Sequence, residues 1–349
     1  MIIRAWRFAY VQARTKAWRS QLLSAEDWHY LRRSRDVNDV WRYLRGTSYG
    51  RWLPASPDPG LLRESVAGLS RQLIERYHKL LKFLPRTSEP LWRALVRRFE
   101  GENLKVILRR IWRRLPVAAT ADLLYPLGPF NTLPPGLAAA ASIPEAVAQL
   151  AGTFYGPVLQ AALPQFQAQE RLFPLEIAID LAVLEQLTAV CRRGPTWRQA
   201  RQLLGALIDW LNLSWLCRFR QVYGLAPEEV INYSIKGGWH LDLAAISAMA
   251  RAVTWPELQA ALPQPYRRLL AASEAWPDAL TRLWGWFTGE LQRAGRRDPF
   301  QLGLPLAYLL QWEMEIQSLS GLLTAKTWGI PEEVLATRLS PPRPAADYV

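Results

Sequence analysis

The chain carries little with which to do covalent chemistry. Its 349 residues hold two cysteines, Cys191 and Cys217, and three histidines, His29, His78 and His240. The cysteines form no Cys-x-x-Cys pair and have no histidine at ligand spacing, which argues against a zinc site or a disulfide framework. They read as buried thiols. Neither a Gly-x-Ser-x-Gly elbow nor a Gly-x-Gly-x-x-Gly turn is present. Gly321-Leu-Leu-Thr-Ala-Lys326-Thr327 resembles a phosphate loop only loosely: it lacks the glycine before the lysine and lies in an apolar helical pattern. Long hydrophobic runs are missing too. The most apolar window, 173–190, contains Glu176, Asp180 and Glu185, which are too costly at mid-bilayer. The start, Met1-Ile-Ile-Arg4-Ala-Trp-Arg7, has no apolar h-region, so no signal peptide is expected. Runs of β-branched residues are scarce, whereas Leu, Ala and Trp abound; that composition favours helices.

Acidic residues are short on one side of the molecule. The net charge is +13. Residues 1–116 hold 25 Lys and Arg against 10 Asp and Glu, while the remaining 233 hold 18 against 20. The first third thus carries the whole excess, which points to an acidic partner or an anionic surface there. The likeliest donors are Arg32, Arg33, Arg35, Arg97, Arg98, Arg109, Arg110, Arg113 and Arg114. Arginine, which makes bidentate contacts to carboxylate and phosphate, dominates over lysine.

What the chain does have is internal repetition, which governs its architecture. Residues 99–114 read as one helix: Leu104, Ile107, Leu108 and Ile111 form an apolar stripe, and Glu100 falls inside that stripe. The same acid-x-x-polar-Leu pattern returns as Asp209-Trp-Leu-Asn212-Leu213 and as Glu315-Ile-Gln-Ser318-Leu319. Asn103, Asn212 and Ser318 are offset by 109 and 106 residues. Gly152-Thr153-Phe-Tyr155-Gly156 repeats Gly46-Thr47-Ser-Tyr49-Gly50 at the same offset of 106. Trp255-Pro-Glu257 echoes Ile143-Pro-Glu145, and Tyr266 falls near the Tyr155 position. Tyr223-Gly224 through Pro227-Glu-Glu matches Trp328-Gly329 through Pro331-Glu-Glu, each a helix end at glycine before a new start.

Taken in order, Ser24 caps a helix with Asp27 in the capping-box slot. Helices are expected at Ser34–Leu44, Leu61–Leu84, from Pro90 to before Pro116, Glu170–Arg192, around Asp209, Trp276–Ala294 and Leu304–Trp328. Residues 115–135 form a Pro-rich connector, and 340–349 a frayed tail. The expected fold is all-α, in three repeated lobes at 1–116, 117–228 and 229–349. Three like units can close as a ring or funnel.

Glu100, Asp209 and Glu315 are the residues most in need of a role. A ring of carboxylates around an opening is one reading. The other, which repetition favours, is that each acid ties the structure together, for instance Glu100 with Arg14. Seventeen Trp among many Arg raise a basic nucleic-acid-binding module as the alternative function. No RRM, KH or helix-turn-helix signature accompanies them, and Trp92, Trp112, Trp215 and Trp312 sit at apolar helix positions.

Several of these segments resemble the C subunit of the archaeal- and bacterial-type V/A-ATPases, the counterpart of the eukaryotic d subunit. They are Tyr10-x-x-Ala13-Arg14 with Leu22-Leu23-Ser24, the Thr47-x-Tyr49 turn, Glu102-Asn103-Leu104-Lys105, and Tyr308-Leu-Leu-x-x-Glu313-x-Glu315-Ile316 followed by Gly-Ile-Pro331-Glu-Glu. The resemblance spans nearly the whole chain. It implies a three-lobed helical funnel with pseudo-threefold symmetry on the cytoplasmic face of a membrane rotor ring. Such a funnel receives the tip of the central shaft (D/F type), and has no active site, cofactor or metal of its own. Ser318 and Ser320 stand where the family commonly has Asn and Arg.

Overall fold

The computed structural model describes residues 2–57, 60–194, 197–294 and 301–330. Among them there are α-helices, short 3-10 turns and one π-turn, and no strand. The first five helices are α1 (Ile2–Arg19), α2 (Ala25–Arg33), α3 (Val37–Arg45), α4 (Leu61–Phe83) and α5 (Glu89–Trp112). After the connector, which folds as three 3-10 turns with a fourth at Leu137–Ala139, come α6 (Ile143–Gln149), α7 (Gly156–Gln169), α8 (Phe173–Arg193) and α9 (Arg198–Cys217). The remainder are α10 (Pro227–Asn232), α11 (Leu243–Arg251), α12 (Trp255–Ala261), α13 (Tyr266–Leu269), α14 (Trp276–Ala294) and α15 (Gly303–Thr327).

Local chemistry repeats with the sequence. The helices α3, α6 and α12 start the same way. Asp36, Ser142 and Thr254 accept from the backbone N–H of Asp39, Glu145 and Glu257. Those three acids reach back to the N–H of Arg35, Ala141 and Val253. This cap moves the expected start of α3 from Ser34 to Val37. The Gly-Thr-x-Tyr-Gly turns are also alike: the hydroxyls of Thr47 and Thr153 donate to Leu44 and Leu150 and accept from the N–H of Tyr49 and Tyr155. The closing glycine is obligatory, because a Cβ on Gly50 or Gly156 would lie 2.2 or 2.5 Å from a backbone carbonyl oxygen. In the third copy Pro263-Gln264-Pro265 leads into Tyr266 instead.

The three motif helices α5, α9 and α15 end alike, each followed by a residue in the left-handed region: Arg114 (φ 53°), Gly224 (φ 62°) and Gly329 (φ 65°). The next N–H returns to a carbonyl in the last turn, Leu115 to Arg110, Leu225 to Phe219 and Ile330 to Ala325. In the second copy a π-turn, Arg218–Val222, takes up one extra residue. That insertion is why the offsets between copies differ on either side of it. Glu170, expected to open a long helix, instead ends α7 at φ 50°, and α8 begins at Phe173. The helix α7, with Pro164 inside it, goes beyond the helices expected from periodicity.

Burial does not follow the repeat boundaries. One hydrophobic core gathers residues from Val11 to Phe99 with the α8–α9 junction and with Phe287 to Ala325. A second runs from Leu104 to Val183, and a third is built mainly from Leu213 to Leu283. Thus α5 contributes its first half to one core and its second half to the next, and α9 does the same. Helix α15 packs on α4, α14 and α1, so the end of the chain completes the core begun by its start. Cys191 and Cys217 are buried free thiols, pushed up to about 11 by that burial. The expected Pro331-Glu-Glu helix start and the tail from 340 lie outside the described residues.

Candidate functional site: a cavity between three clamped helices

Each motif acid is buried and holds a segment that lies outside its own helix. Glu100 accepts from the Thr132 N–H and, at 3.0 Å, from the Tyr155 hydroxyl, with Arg97 3.8 Å away. Asp209 accepts from the N–H groups of His240 (2.7 Å) and Leu241 (3.2 Å) and from the Tyr266 hydroxyl (2.7 Å). Glu315 accepts from the Leu23 N–H (3.0 Å) and the Tyr49 hydroxyl. A buried carboxylate needs such donors, because losing water without replacement is expensive. Here a tyrosine and a backbone N–H supply them three times over. Arg14, expected to pair with Glu100, lies over the Trp18 ring instead.

The tyrosine partners do leave a trace in the sequence. Acid and tyrosine are 55 and 57 residues apart in the first two clamps. In the third, the tyrosine lies behind the acid, because the clamp joins the last motif helix to the first turn. Linear spacing hides that pair. Burial raises Asp209 to about 6 and Glu315 to about 7, partly offset by the hydrogen bonds from tyrosine and backbone.

The polar residue of the motif works beside the acid in two copies. The Asn103 amide pairs with both backbone groups of Tyr125, and Asn212 does the same with Ile235. Ser318 only donates to the Met314 carbonyl of its own helix. The reason is the partner. Asn103 and Asn212 grip non-helical backbone ahead of the clamped N–H, whereas the segment ahead of Leu23 is α1, whose backbone groups are already engaged.

The motif helices do not close on one another. Between them lies a cavity of about 470 Å³, lined by all three together with α8 and α14. One side is aromatic, with Trp210, Trp215, Trp284 and Phe287. The polar lining is mostly paired: Arg98 with Glu313 at 2.8 Å, and Lys105 with both Glu102 and Asp180 at 2.8 Å. Among the described residues no group of three or more His, Cys, Asp and Glu is placed to hold a metal ion. No helix there is long and apolar enough to cross a membrane.

The nine candidate arginines of the basic third separate by environment. Arg98 is held inside by Glu313 and Tyr77, and the carboxylate raises its pKa against the opposing effect of burial. Arg110 is buried and donates to the Leu115 carbonyl; Arg220 does the same for Leu225 in the second copy. Arg97 is half-buried against Gln186 and the Phe154 ring. These three make contacts within the fold. Arg109 is exposed but paired with Glu176 at 2.6 Å. Arg32 is half-buried, with Nε donating to the Trp28 carbonyl. Arg33, Arg113 and Arg114 are exposed, and so is Arg35, which lies 3.6 Å from Asp39. Of the tryptophans read as buried, Trp92 and Trp312 are, Trp215 is half-buried, and Trp112 is 43 % exposed at the end of α5.

The geometry is that of a repeated helical scaffold, and the chain has relatives among known proteins. The family model described as ATP synthase (C/AC39) subunit matches residues 11–338. The chain is 24% identical to the A-type ATP synthase C subunit of Methanocaldococcus jannaschii, over 97% of this chain and 88% of that one. It is 23% identical to that of Methanothermobacter thermautotrophicus, over 97% and 89%. With that of Haloquadratum walsbyi it shares 31% over 66% of each chain. The chain therefore belongs to the ATP synthase (C/AC39) subunit family of the V/A-type ATPases and is part of a rotary ATP synthase complex.

Proposed function

We propose that the chain is the non-catalytic coupler of the rotor, seated between the central shaft and the membrane rotor ring on the cytoplasmic face. The observation that carries this reading is the cavity walled by α5, α9 and α15, each fastened by an equivalent buried carboxylate clamp. Three like units at 1–116, 117–228 and 229–349, arranged about a pseudo-threefold axis, form a funnel whose lumen is this cavity. The tip of the shaft enters the lumen. Torque transmission needs a stiff body, and close-packed helices with satisfied buried groups resist deformation. The exposed arginines of the first third meet an acidic protein surface or lipid headgroups beside the ring.

A pull-down from native membranes tests the assignment. Co-recovery of the catalytic head, the shaft and the ring supports it. Salt-sensitive recovery of RNA without them would favour the nucleic-acid reading instead. Burial speaks against that alternative: Trp18, Trp28, Trp92, Trp276 and Trp312 are packed inside and offer no stacking platform.

A further inference from the structure

A second cavity lies beside the second clamp, where α9 and α14 meet the segment that Asp209 holds. It measures about 300 Å³, and its lining includes Trp239, His240, Trp286 and Glu290 with the apolar Leu203 and Ala206. Its three aromatic residues belong to one chain of edge-to-face rings. Trp239 meets His240 with centroids 5.9 Å apart, His240 meets Tyr266 at 5.7 Å, and Tyr266 meets Trp286 at 5.1 Å. Tyr266 is the tyrosine of the clamp, its hydroxyl held by Asp209 at 2.7 Å, so this wall is tied to a buried anchor. The clamp does not require such rings: the N–H groups held by Glu100 and Glu315 belong to Thr132 and Leu23. In a chain of net charge +13, the one charged residue of the lining among the described residues is an acid, Glu290. It accepts through one oxygen from Arg293, three residues along the same helix, in an exposed pair. Burial lowers the pKa of His240 against the raising effect of Glu290, so the imidazole is neutral at about pH 7.

We propose that this cavity is a binding site for an organic cation, an alkylammonium or guanidinium group, recognised by Trp239, Trp286 and the Glu290 carboxylate. Indole rings carry a negative π face that attracts a cation, most strongly once the cation has lost its water. Glu290 supplies the counter-charge. Its exposed pair with Arg293 contributes little, so an incoming cation competes with it at small cost. An anion entering the cavity would meet a carboxylate and no cation of the described lining. A neutral apolar group would gain contact area but strip water from that carboxylate without replacing it. The wall is held in place by the clamp, which lowers the ordering cost of binding. About 300 Å³ is at the small end of ligand sites and suits one head group with a short stem. The cation is either a free amine or a Lys or Arg side chain of a neighbouring subunit; the recognition chemistry is the same. The site is separate from the lumen between the motif helices and does not depend on the coupler reading.

Ligand-observed NMR titration of the purified full chain tests this with three probes: choline, agmatine, and the neutral isostere of choline that carries a tert-butyl group in place of trimethylammonium. Either cation or both should saturate the wild-type chain below about 10 mM, and the neutral isostere should bind at least about tenfold more weakly than choline. Two substitutions remove recognition and leave the clamp in place. Glu290→Gln, at an exposed ion pair, should weaken cation binding by about fivefold or more and leave the isostere unaffected. Trp239→Leu, at a residue 45 % exposed, should weaken it by about tenfold. Equal binding of choline and its isostere, unchanged cation affinity in Glu290→Gln, or no saturation by either cation overturns the proposal. Reconstitution of the complex with Glu290→Lys then separates the two sources of the cation. Failed assembly assigns it to a side chain of a neighbouring subunit, and intact assembly with loss of cation binding assigns it to a free amine.

Discussion

Glu315→Gln is the sharpest test of how the clamps are built. The Leu23 N–H and the Tyr49 hydroxyl converge on one carboxylate oxygen of Glu315, and the Trp28 side chain also favours the ionised carboxylate. Glutamine keeps that oxygen, so the substitution preserves these two bonds and removes the charge. The folded-state pKa is about 7 against an ordinary 4.5, raised chiefly by burial. Between those two values the folded chain holds a proton that the unfolded chain has released. Stability from this group is therefore full below pH 4.5 and is lost as pH rises through 7. The loss is on the order of 3 kcal/mol, from about 1.4 kcal/mol per pKa unit. The variant should match wild type at about pH 5 and exceed it at about pH 8, by something under ~3 kcal/mol, because the new amide N–H groups also need partners. A chain of this size need not unfold in one step, so the readout is local: hydrogen exchange at the Leu23 amide. Wild-type protection should fall between about pH 5 and pH 8 after correction for intrinsic exchange rates, and protection in the variant should not. A variant less protected than wild type at the alkaline end would refute the claim that the ionised carboxylate is a cost.

The other clamps and turns give contrasting outcomes. Glu100→Gln should destabilise by about 1–3 kcal/mol, because both of its oxygens are used, one by Thr132 and the other by Tyr155 beside Arg97; urea midpoints at neutral pH decide it. Asn103→Ala and Asn212→Ala should each cost a comparable amount by removing a paired set of backbone bonds, whereas Ser318→Ala should stay within ~0.5 kcal/mol. Arg114→Gly should raise the melting temperature, since an L-residue at φ 53° carries about 1–2 kcal/mol of strain, and Gly224→Ala should lower it. Reversing Arg33, Arg35, Arg113 and Arg114 to Glu together should weaken assembly at low ionic strength and much less at high; unchanged assembly at low salt would remove the charge asymmetry from partner binding.

Much of this architecture is readable in the sequence, and the parts that are not have identifiable causes. Helix class and the positions of α4, α5, α14 and α15 follow from apolar periodicity bounded by proline and glycine. The acids stand out by lying inside an apolar stripe, where only a satisfied carboxylate survives. Of their partners, the backbone N–H groups have no sequence signature, and Tyr49 stays hidden because it lies far behind its acid, whereas Tyr155 and Tyr266 recur at similar spacing. Arg98 and Arg110 illustrate the opposite failure. A cationic residue next to an apolar stripe looks exposed, and only the tertiary fold puts Glu313 or the Leu115 carbonyl within reach. The helix α7 is obscured by Pro164, which argues locally against a helix that Gly156-Pro157 begins and packing against α8 retains.

The third clamp carries the deepest consequence of the repeat. In the first two copies the acid reaches forward along the chain, and no such segment remains for the last acid except the first one. Glu315 reaches back to Leu23 and Tyr49, while Lys326 donates to the carbonyls of Arg32 and Ser34. The chain is thus closed by the same interaction that links its successive units. The last copy departs from the pattern at that closure: α1 presents helical backbone where the other copies present a non-helical segment, and Ser318 stands where they have asparagine. A scaffold built this way has no terminal unit left to fray at that seam. Deformation of any one motif helix must then strain a buried carboxylate and its donors, which in a low-dielectric core is costly. Stiffness of that kind comes from the position of three acids and three tyrosines, and it needs no partner to be present before it acts.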